Sequence, residues 1–268
     1  MKPTVFHKSL KVLHLRALTH MSTIRQDIRL IIDLGNTRGK AGVFIERELE
    51  KSLFFASIDE LKASVPGVFV SQIFVSNVSA RPLSELQTHF PRAAISEFER
   101  SLRLPIELDY ETPNTVGLDR LAAAVAVNHE FKAQNVLSID AGSCITYDLI
   151  SSDGVFRGGA ISPGVRMRLR AMHSMTGALP DLSEDWKKIP VESVGKSTAA
   201  CMVSGAVSGV IDEMKGFLRR YRRDCGELTI IMTGGDAAFF ESKLKEPIFV
   251  RPNLVLTGLN TIFDYNDH

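Results

Sequence analysis

The sequence predicts an α/β protein built of two similar halves, each a mixed sheet flanked by helices. Three observations carry that prediction. Apolar, β-branched runs alternate with amphipathic or Ala-rich helical stretches along the chain. One local pattern occurs twice: an apolar strand ending in aspartate, a tight glycine turn, and a second strand. It is "IIDLGNTRGKAGVF" from Ile31 to Phe44 and "SIDAGSCITYDL" from Ser138 to Leu149. The copies lie too far apart for a solenoid period but suit a duplicated half-domain. The expected boundaries are residues 1–27 for an N-terminal extension, 28–135 for the first half and 136–268 for the second.

Each element follows from local pattern. "IRLIIDLGNTRGKAGVFIE" reads as strand, turn, strand, and "ASIDELKAS" as a helix. "VFVSQIFVSNVS" is a buried strand, and "RPLSELQTHF" a helix with Pro82 near its first turn. Pro105 and Pro113 break any long element before "LDRLAAAVAVNHEF", an Ala-rich helix of strong propensity. The pattern then restarts with the second strand–turn–strand, a Ser-Asp-Gly turn and a further strand through "GGAISPG". Two helices follow, "VRMRLRAMHSMTGAL" and "STAACMVSGAVSGVIDEMKGFLRRYRR", the second rich in small residues that permit close approach. "LTIIMTGGDAAFFESKL" is strand, Gly-Gly turn, helix. "PIFVRPNLVLTGLNTIFDY" closes with a short strand and a helix.

Composition narrows the function classes. The 268 residues are 44% hydrophobic and 24% charged, with a net charge of +1. That is ordinary for a globular protein and gives no overall basic field for nucleic acid or anionic lipid. The basic run Arg219–Arg223 reads as the solvated end of a helix. Cys144, Cys201 and Cys225 are odd in number and lack C-x-x-C spacing, which argues for a reducing compartment and against a disulfide framework or zinc site. No apolar run is long enough for a membrane helix, so the chain is read as cytoplasmic. The first 26 residues carry Lys, Arg and His but no acid. A targeting peptide, an upstream start with Met21 as the working one, and an appended segment all fit. The last two are preferred because the core pattern begins at Ile28.

The two turns carry the chemistry. Taken alone, Asp-x-Gly is a common turn, with the aspartate capping its own backbone. Taken as a repeat, the turns suit a polyphosphate held between two facing hairpin tips. Glycine lets backbone N–H groups come close to oxygen, and Asn36, Thr37, Ser143 and Thr146 add side-chain donors. An aspartate aimed at phosphate needs a cation between them, which suits Asp33 and Asp140. Lys40 can reach a phosphate as a point charge. A third glycine turn, Thr233-Gly234-Gly235-Asp236, suits close approach to a base or sugar. His129 and His173 read as helix-surface residues, Trp186 as a packing anchor, and Cys144 as having no base partner.

"DLGNTRGKAGVF", "DAGSCITYDL" and "TGGDA" resemble the two phosphate segments and the adenosine segment of the acetate and sugar kinase, Hsp70 and actin superfamily. With "TPNTVGLDR" and "GGAISPGV", the chain from about Ile28 onward resembles the type III pantothenate kinases, also called the CoaX or Bvg accessory factor family. The resemblance implies duplicated ribonuclease H-like halves of the actin/Hsp70 type. It implies transfer of phosphate from ATP, with Mg2+, to the terminal hydroxyl of pantothenate in a homodimer, with no nucleic-acid or membrane partner. The first phosphate loop falls on Asp33, Leu34, Gly35, Asn36, Thr37, Arg38, Gly39 and Lys40, and Ser143 of the second turn also contacts ATP. Ser143 stands where the family usually has threonine, and keeps the hydroxyl. Asp140 matches the ligand of a monovalent cation, K+ or NH4+. Gly117, Leu118, Asp119 and Arg120 match the family's Gly-x-Asp-Arg segment, with Asp119 as catalytic acceptor of the hydroxyl proton and Arg120 on pantothenate. Tyr110 matches a pantothenate-contacting tyrosine, and Thr198 a threonine that reaches the partner subunit's substrate. From spacing alone Asp119 and Arg120 read as a helix cap and a surface arginine; the resemblance reverses that. The alternative is a non-catalytic regulator on the same fold, which should have lost one of these groups.

Overall fold

The computed structural model describes residues 28–35, 38–65, 69–77 and 83–267. The N-terminal extension and the alternative start at Met21 lie outside the described residues, as do Asn36 and Thr37 of the first turn. The chain forms two compact units that part between Phe98 and Glu99.

The first unit holds a five-stranded sheet in the order β3-β2-β1-β4-β5. Its strands are β1 (Ile28–Leu34), β2 (Gly39–Ile45), β3 (Glu48–Phe55), β4 (Gln72–Asn77) and β5 (Ala94–Glu97). The β1–β2–β3 meander is antiparallel, while β4 and β5 run parallel to β1. Glu46 and Arg47, both at positive φ, make the two-residue turn between β2 and β3. Helix α1 (Ile58–Ser64) begins at Ser57, whose hydroxyl accepts from the Glu60 N–H at 3.2 Å. Helix α2 is Ser84–His89. Leu30, Ile32, Ile73 and Val75 of the central strands pack with Leu61 and Leu86 of the helices to form this unit's core.

The second unit repeats the plan. Its sheet runs β11-β10-β7-β8-β9-β6. The strands are β6 (Glu107–Leu108), β7 (Val136–Ala141), β8 (Cys144–Ile150), β9 (Val155–Pro163), β10 (Thr229–Thr233) and β11 (Ile248–Val250). Here β7, β8 and β9 form the antiparallel meander, and β10 and β11 are parallel to β7. Order and sense match the first unit strand for strand, with β6 added at one edge. The expected duplication is therefore present in the topology. The helices are α3 (Leu118–Glu130), α4 (Val165–Ser174), α5 (Thr198–Cys225), α6 (Ala237–Leu244) and α7 (Leu254–Asn266). The repeat places a boundary after residue 135, whereas the compact units part earlier, because α3 packs against α7, β7 and β8. Trp186 is the packing anchor expected of it: it is buried, edge-on to Phe239 of α6 at 5.0 Å.

Alanines let α3 approach its neighbour. Residues Leu121 to Val127 are all buried, and a Cβ on Gly258 of α7 would stand only 1.8 Å from the Ala122 carbonyl oxygen. A second device braces β9. Glu213 of α5 accepts the Tyr147 hydroxyl at 2.9 Å on one oxygen and Arg168 Nη2 at 2.6 Å on the other. Arg168 also donates to the Pro163 carbonyl at 2.8 Å and the Ser162 hydroxyl at 2.9 Å. Burial acts to raise the Glu213 carboxyl, but bonds from Ser162, Arg168 and Tyr147 outweigh it and hold it below the ordinary range.

Two outcomes follow from these contacts. Gly258→Ala forces α3 and α7 apart and should cost about 1–3 kcal/mol of stability, read from urea unfolding; unchanged stability would mean the pair is not tightly packed. Glu213 has a lower pKa folded than unfolded, so its contribution is full at neutral pH and is lost as the pH falls below about 4. The stability gap between wild type and Glu213→Gln should be flat above about pH 6 and close toward about pH 3. A gap independent of pH would remove the carboxylate charge from the brace.

Candidate active site

Backbone segments crowd closely at the second turn. Asp140 is in register with Thr146 across the β7–β8 hairpin and with Thr233 of β10. Gly142 N–H bonds the Cys144 carbonyl at 3.0 Å, which closes the turn and leaves Ser143 exposed at its tip. Two more segments lean on it. Gly164, after β9, donates to the Ser143 carbonyl at 3.0 Å, and a Cβ there would meet the Gly142 carbonyl at 2.3 Å. Gly234, at φ +95°, passes so close that a Cβ would stand 2.4 Å from Asp140 Oδ1 and 2.5 Å from the Ala141 carbonyl. The Asp236 N–H then bonds that same carbonyl at 3.0 Å. The "DAGS", "SPG" and "TGGDA" stretches singled out from sequence thus meet at the carboxyl ends of β7 and β10. Lys187 pairs with Asp236 at 2.5 Å beside them.

In the first unit, Asp33 is in register with Lys40, and Leu34 with Gly39. Gly39 admits the Phe55 ring, since a Cβ there would fall 2.2 Å from Phe55 Cζ. Gly35 is half-buried, and Arg38 is exposed with its guanidinium 3.9 Å from the Phe54 ring centre. The Lys40 ammonium lies 5.2 Å from the same ring, a cation–π distance. Both cations of the first loop therefore sit on one aromatic support.

A third group forms around the start of α3. Gly117 is the residue that caps this helix, and Leu118 and Asp119 open it. Asp119 is exposed, and its Oδ1 accepts the Arg120 N–H at 2.9 Å. That carboxylate folds back over Gly117, where a Cβ would be 2.4 Å from it. Arg120 is not the surface arginine that spacing alone suggests. It is 7% exposed, and its Nε and Nη2 both reach Oδ1 of Asp148 on β8, at 2.9 and 2.5 Å. Asp148 is 1% exposed. Burial holds the Asp148 carboxyl above the ordinary range, and the bonds from Arg120 and Thr146 offset it only in part. Burial likewise opposes the Arg120 charge, but Asp148 and Tyr110 overcome it and the guanidinium is held above its ordinary value. The Phe156 ring lies 5.6 Å from that guanidinium and 5.9 Å from the Tyr110 ring. Gly158, at φ +74°, leaves room for Tyr110, because a Cβ there would meet its ring at 2.9 Å.

The structure thus joins Tyr110, Gly117, Asp119 and Arg120 in one place. Thr198 is exposed at the first position of α5, outside the contacts that tie this group together. Sequence reading passed over Asp148, Phe156 and Gly158. A signal existed for Asp148, because a carboxylate inside a strand is unusual and calls for a partner. Among the described residues no three His, Cys, Asp or Glu gather as a metal cluster, and all three cysteines are free thiols. His129 and His173 are exposed on their helices as expected. No described helix is long and apolar enough to cross a membrane.

Comparison with known proteins bears on the fold and the family. The structure resembles a Campylobacter jejuni protein named for the Baf family of transcriptional activators, at TM-score 0.59 and 21% identity, covering 89% of this chain and 98% of that one. It also resembles the ethanolamine utilization protein EutJ of Carboxydothermus hydrogenoformans, at TM-score 0.51 and 15% identity, covering 94% and 96%. These likenesses concern the fold alone. Sequence relatives are nearer. A type III pantothenate kinase of Phocaeicola vulgatus is 39% identical over 90% of this chain and 99% of its own length. One of Cytophaga hutchinsonii is 37% identical over 89% and 100%. The family model for type III pantothenate kinases matches residues 29–220, a span holding both turns and the Tyr110–Arg120 group, and the chain belongs to that family.

Proposed function

We propose that this protein transfers the terminal phosphoryl group of ATP to the terminal hydroxyl of pantothenate, giving 4'-phosphopantothenate, the first step of coenzyme A synthesis. The observation that carries the reading is the pairing of an exposed carboxylate with a buried, fixed cation on adjacent residues. Asp119 offers an oxygen to the acceptor hydroxyl, and its backbone link to Arg120 sets the two groups in register. Arg120 meets the carboxylate end of the acceptor beside Tyr110. Phosphoryl transfer runs through a loose transition state, so orientation and charge neutralisation matter more than strong basicity. An exposed aspartate suits that task.

ATP contacts fall to the turns, each within its own unit: Asp33 through Lys40 in the first, Ser143 in the second, and the Gly234-Gly235 segment for the nucleoside. A monovalent cation, K+ or NH4+, fits Asp140. Its carboxylate lies at the second turn, where Gly234 and the Ala141 carbonyl oxygen come close to it. One carboxylate with backbone oxygens suits a hard ion of low charge. With no cluster of three acids among the described residues, Mg2+ would be held largely through phosphate oxygens. Bound there, these ions supply neutralisation of phosphate charge. A homodimer through the small-residue start of α5, Ser197 to Met214, fits the exposure of Cys201 and Gly205 there. The free thiols suit the cytoplasm.

ATP turnover by the purified protein with Mg2+ and K+ should require pantothenate and yield its phosphate ester. Turnover indifferent to pantothenate would move the function to another acceptor or to a regulator. Asp119→Asn should lower kcat by at least about a hundredfold while ATP binding by calorimetry stays near wild type; a variant that keeps most of its turnover would take Asp119 out of the reaction. Replacing K+ by Na+ should lower the rate severalfold or more, and full rate in Na+ alone would count against Asp140 as a cation ligand.

A further inference from the structure

The ion pair between Arg120 and Asp148 is deeply buried, at 8% and 2% side-chain exposure. Burying two charges is costly, and an apolar pair of similar size is often as stable or more so. Stability alone is a poor reason for it. Its geometry is also one-sided. A guanidinium has five N–H donors. Both bonds to Asp148 come from the Nε–Nη2 edge and converge on a single oxygen, Oδ1. The end-on edge, Nη1 with the second hydrogen of Nη2, is turned away from that contact. Tyr110 interacts with the same guanidinium, and Phe156 lies along it. Thr146, two residues earlier on β8, hydrogen-bonds Asp148 and so holds the holder.

We propose that Asp148 is a positioning residue for acceptor recognition: it grips Arg120 by its side-on edge, so that the end-on edge is presented beside Tyr110 to the carboxylate of the acceptor. β8 is the strand that leaves the second phosphate turn, and α3 carries Asp119. Asp148 therefore ties the acceptor-binding arginine to the strand that shapes the ATP side of the second unit. A carboxylate acceptor is selected over an uncharged analogue because Arg120 is kept charged and aimed. The inference rests on the reading of pantothenate as acceptor.

The test is steady-state kinetics with pantothenate and ATP varied separately, on wild type, Asp148→Asn, and the paired apolar variant Arg120→Met with Asp148→Leu, each with its Tm. Asp148→Asn should raise KM for pantothenate about tenfold or more and leave KM for ATP within about twofold. Its preference for pantothenate over pantothenamide, in which the carboxylate is an uncharged amide, should fall in parallel. The paired variant should regain the Tm that Asp148→Asn loses, but not the pantothenate KM. Should Asp148→Asn not fold, Asp148→Glu, which keeps the charge but displaces the grip on Arg120, takes its place with the same readouts. A wild-type pantothenate KM in either variant, or equal loss toward both substrates following Tm, would overturn the proposal. Wild-type turnover that ignores pantothenate would overturn the reading beneath it instead, and this inference with it.

Discussion

Two glycines are required where the chain crosses the carboxyl end of β7. At Gly234 a methyl group would strike the Asp140 carboxylate and the Ala141 carbonyl, and at Gly164 it would strike the turn itself. Most of the second unit is arranged to deliver three backbone segments to that point. β7 and β10 bring two of them side by side as parallel neighbours, and β9 brings the third through its antiparallel pairing with β8. The Arg168–Glu213–Tyr147 brace fixes the end of β9 just before Gly164. The hydrogen bonds among these segments fix the turn before any ligand arrives.

The duplicated plan gives two such turns, but the copies are not equivalent. In the first unit the residue opposite the aspartate is Lys40; in the second it is Thr146. A lysine across the strand pair supplies positive charge from the protein itself. A threonine supplies a hydroxyl instead. The two turns therefore offer different side chains across the strand pair, an ammonium in the first and a hydroxyl in the second. The same β8 strand then carries Asp148 one step beyond Tyr147, so the second copy has also acquired the support for Arg120.

The parts of the fold legible in the sequence were those with a strong local cause. Strands ending in Asp-x-Gly, the Ala-rich α3 and the buried Trp186 each follow from composition within a few residues. β3 was not legible, because it lies at a sheet edge with most of its residues exposed, where a clean apolar pattern is not needed. β6 has two residues and exists only through its pairing with β9, a long-range contact. The strand order within each sheet is likewise set by contacts between distant segments. In the site, both turns and the Gly117–Arg120 segment were found from their motifs. The burial of Arg120 was not, since helix position alone gives an arginine no reason to turn inward. Its reason lies on β8, in Asp148.

An exposed acid next to a buried base is an arrangement with a consequence for the reaction. Asp119 lies at the helix start, where the peptide dipoles favour negative charge. Its neighbour Arg120 is pinned from below by Asp148 and flanked by aromatic rings, so it cannot swing out to neutralise Asp119. The two opposite charges are kept apart by their partners, although they are consecutive in the chain. On the proposed reading, Asp119 is open to the acceptor hydroxyl and Arg120 is aimed at its carboxylate. An acceptor carrying both groups is held at two points, and its hydroxyl is oriented by the grip on its other end. Binding energy at the carboxylate is thereby converted into alignment at the reacting oxygen, which is the form of catalysis a loose phosphoryl-transfer transition state rewards.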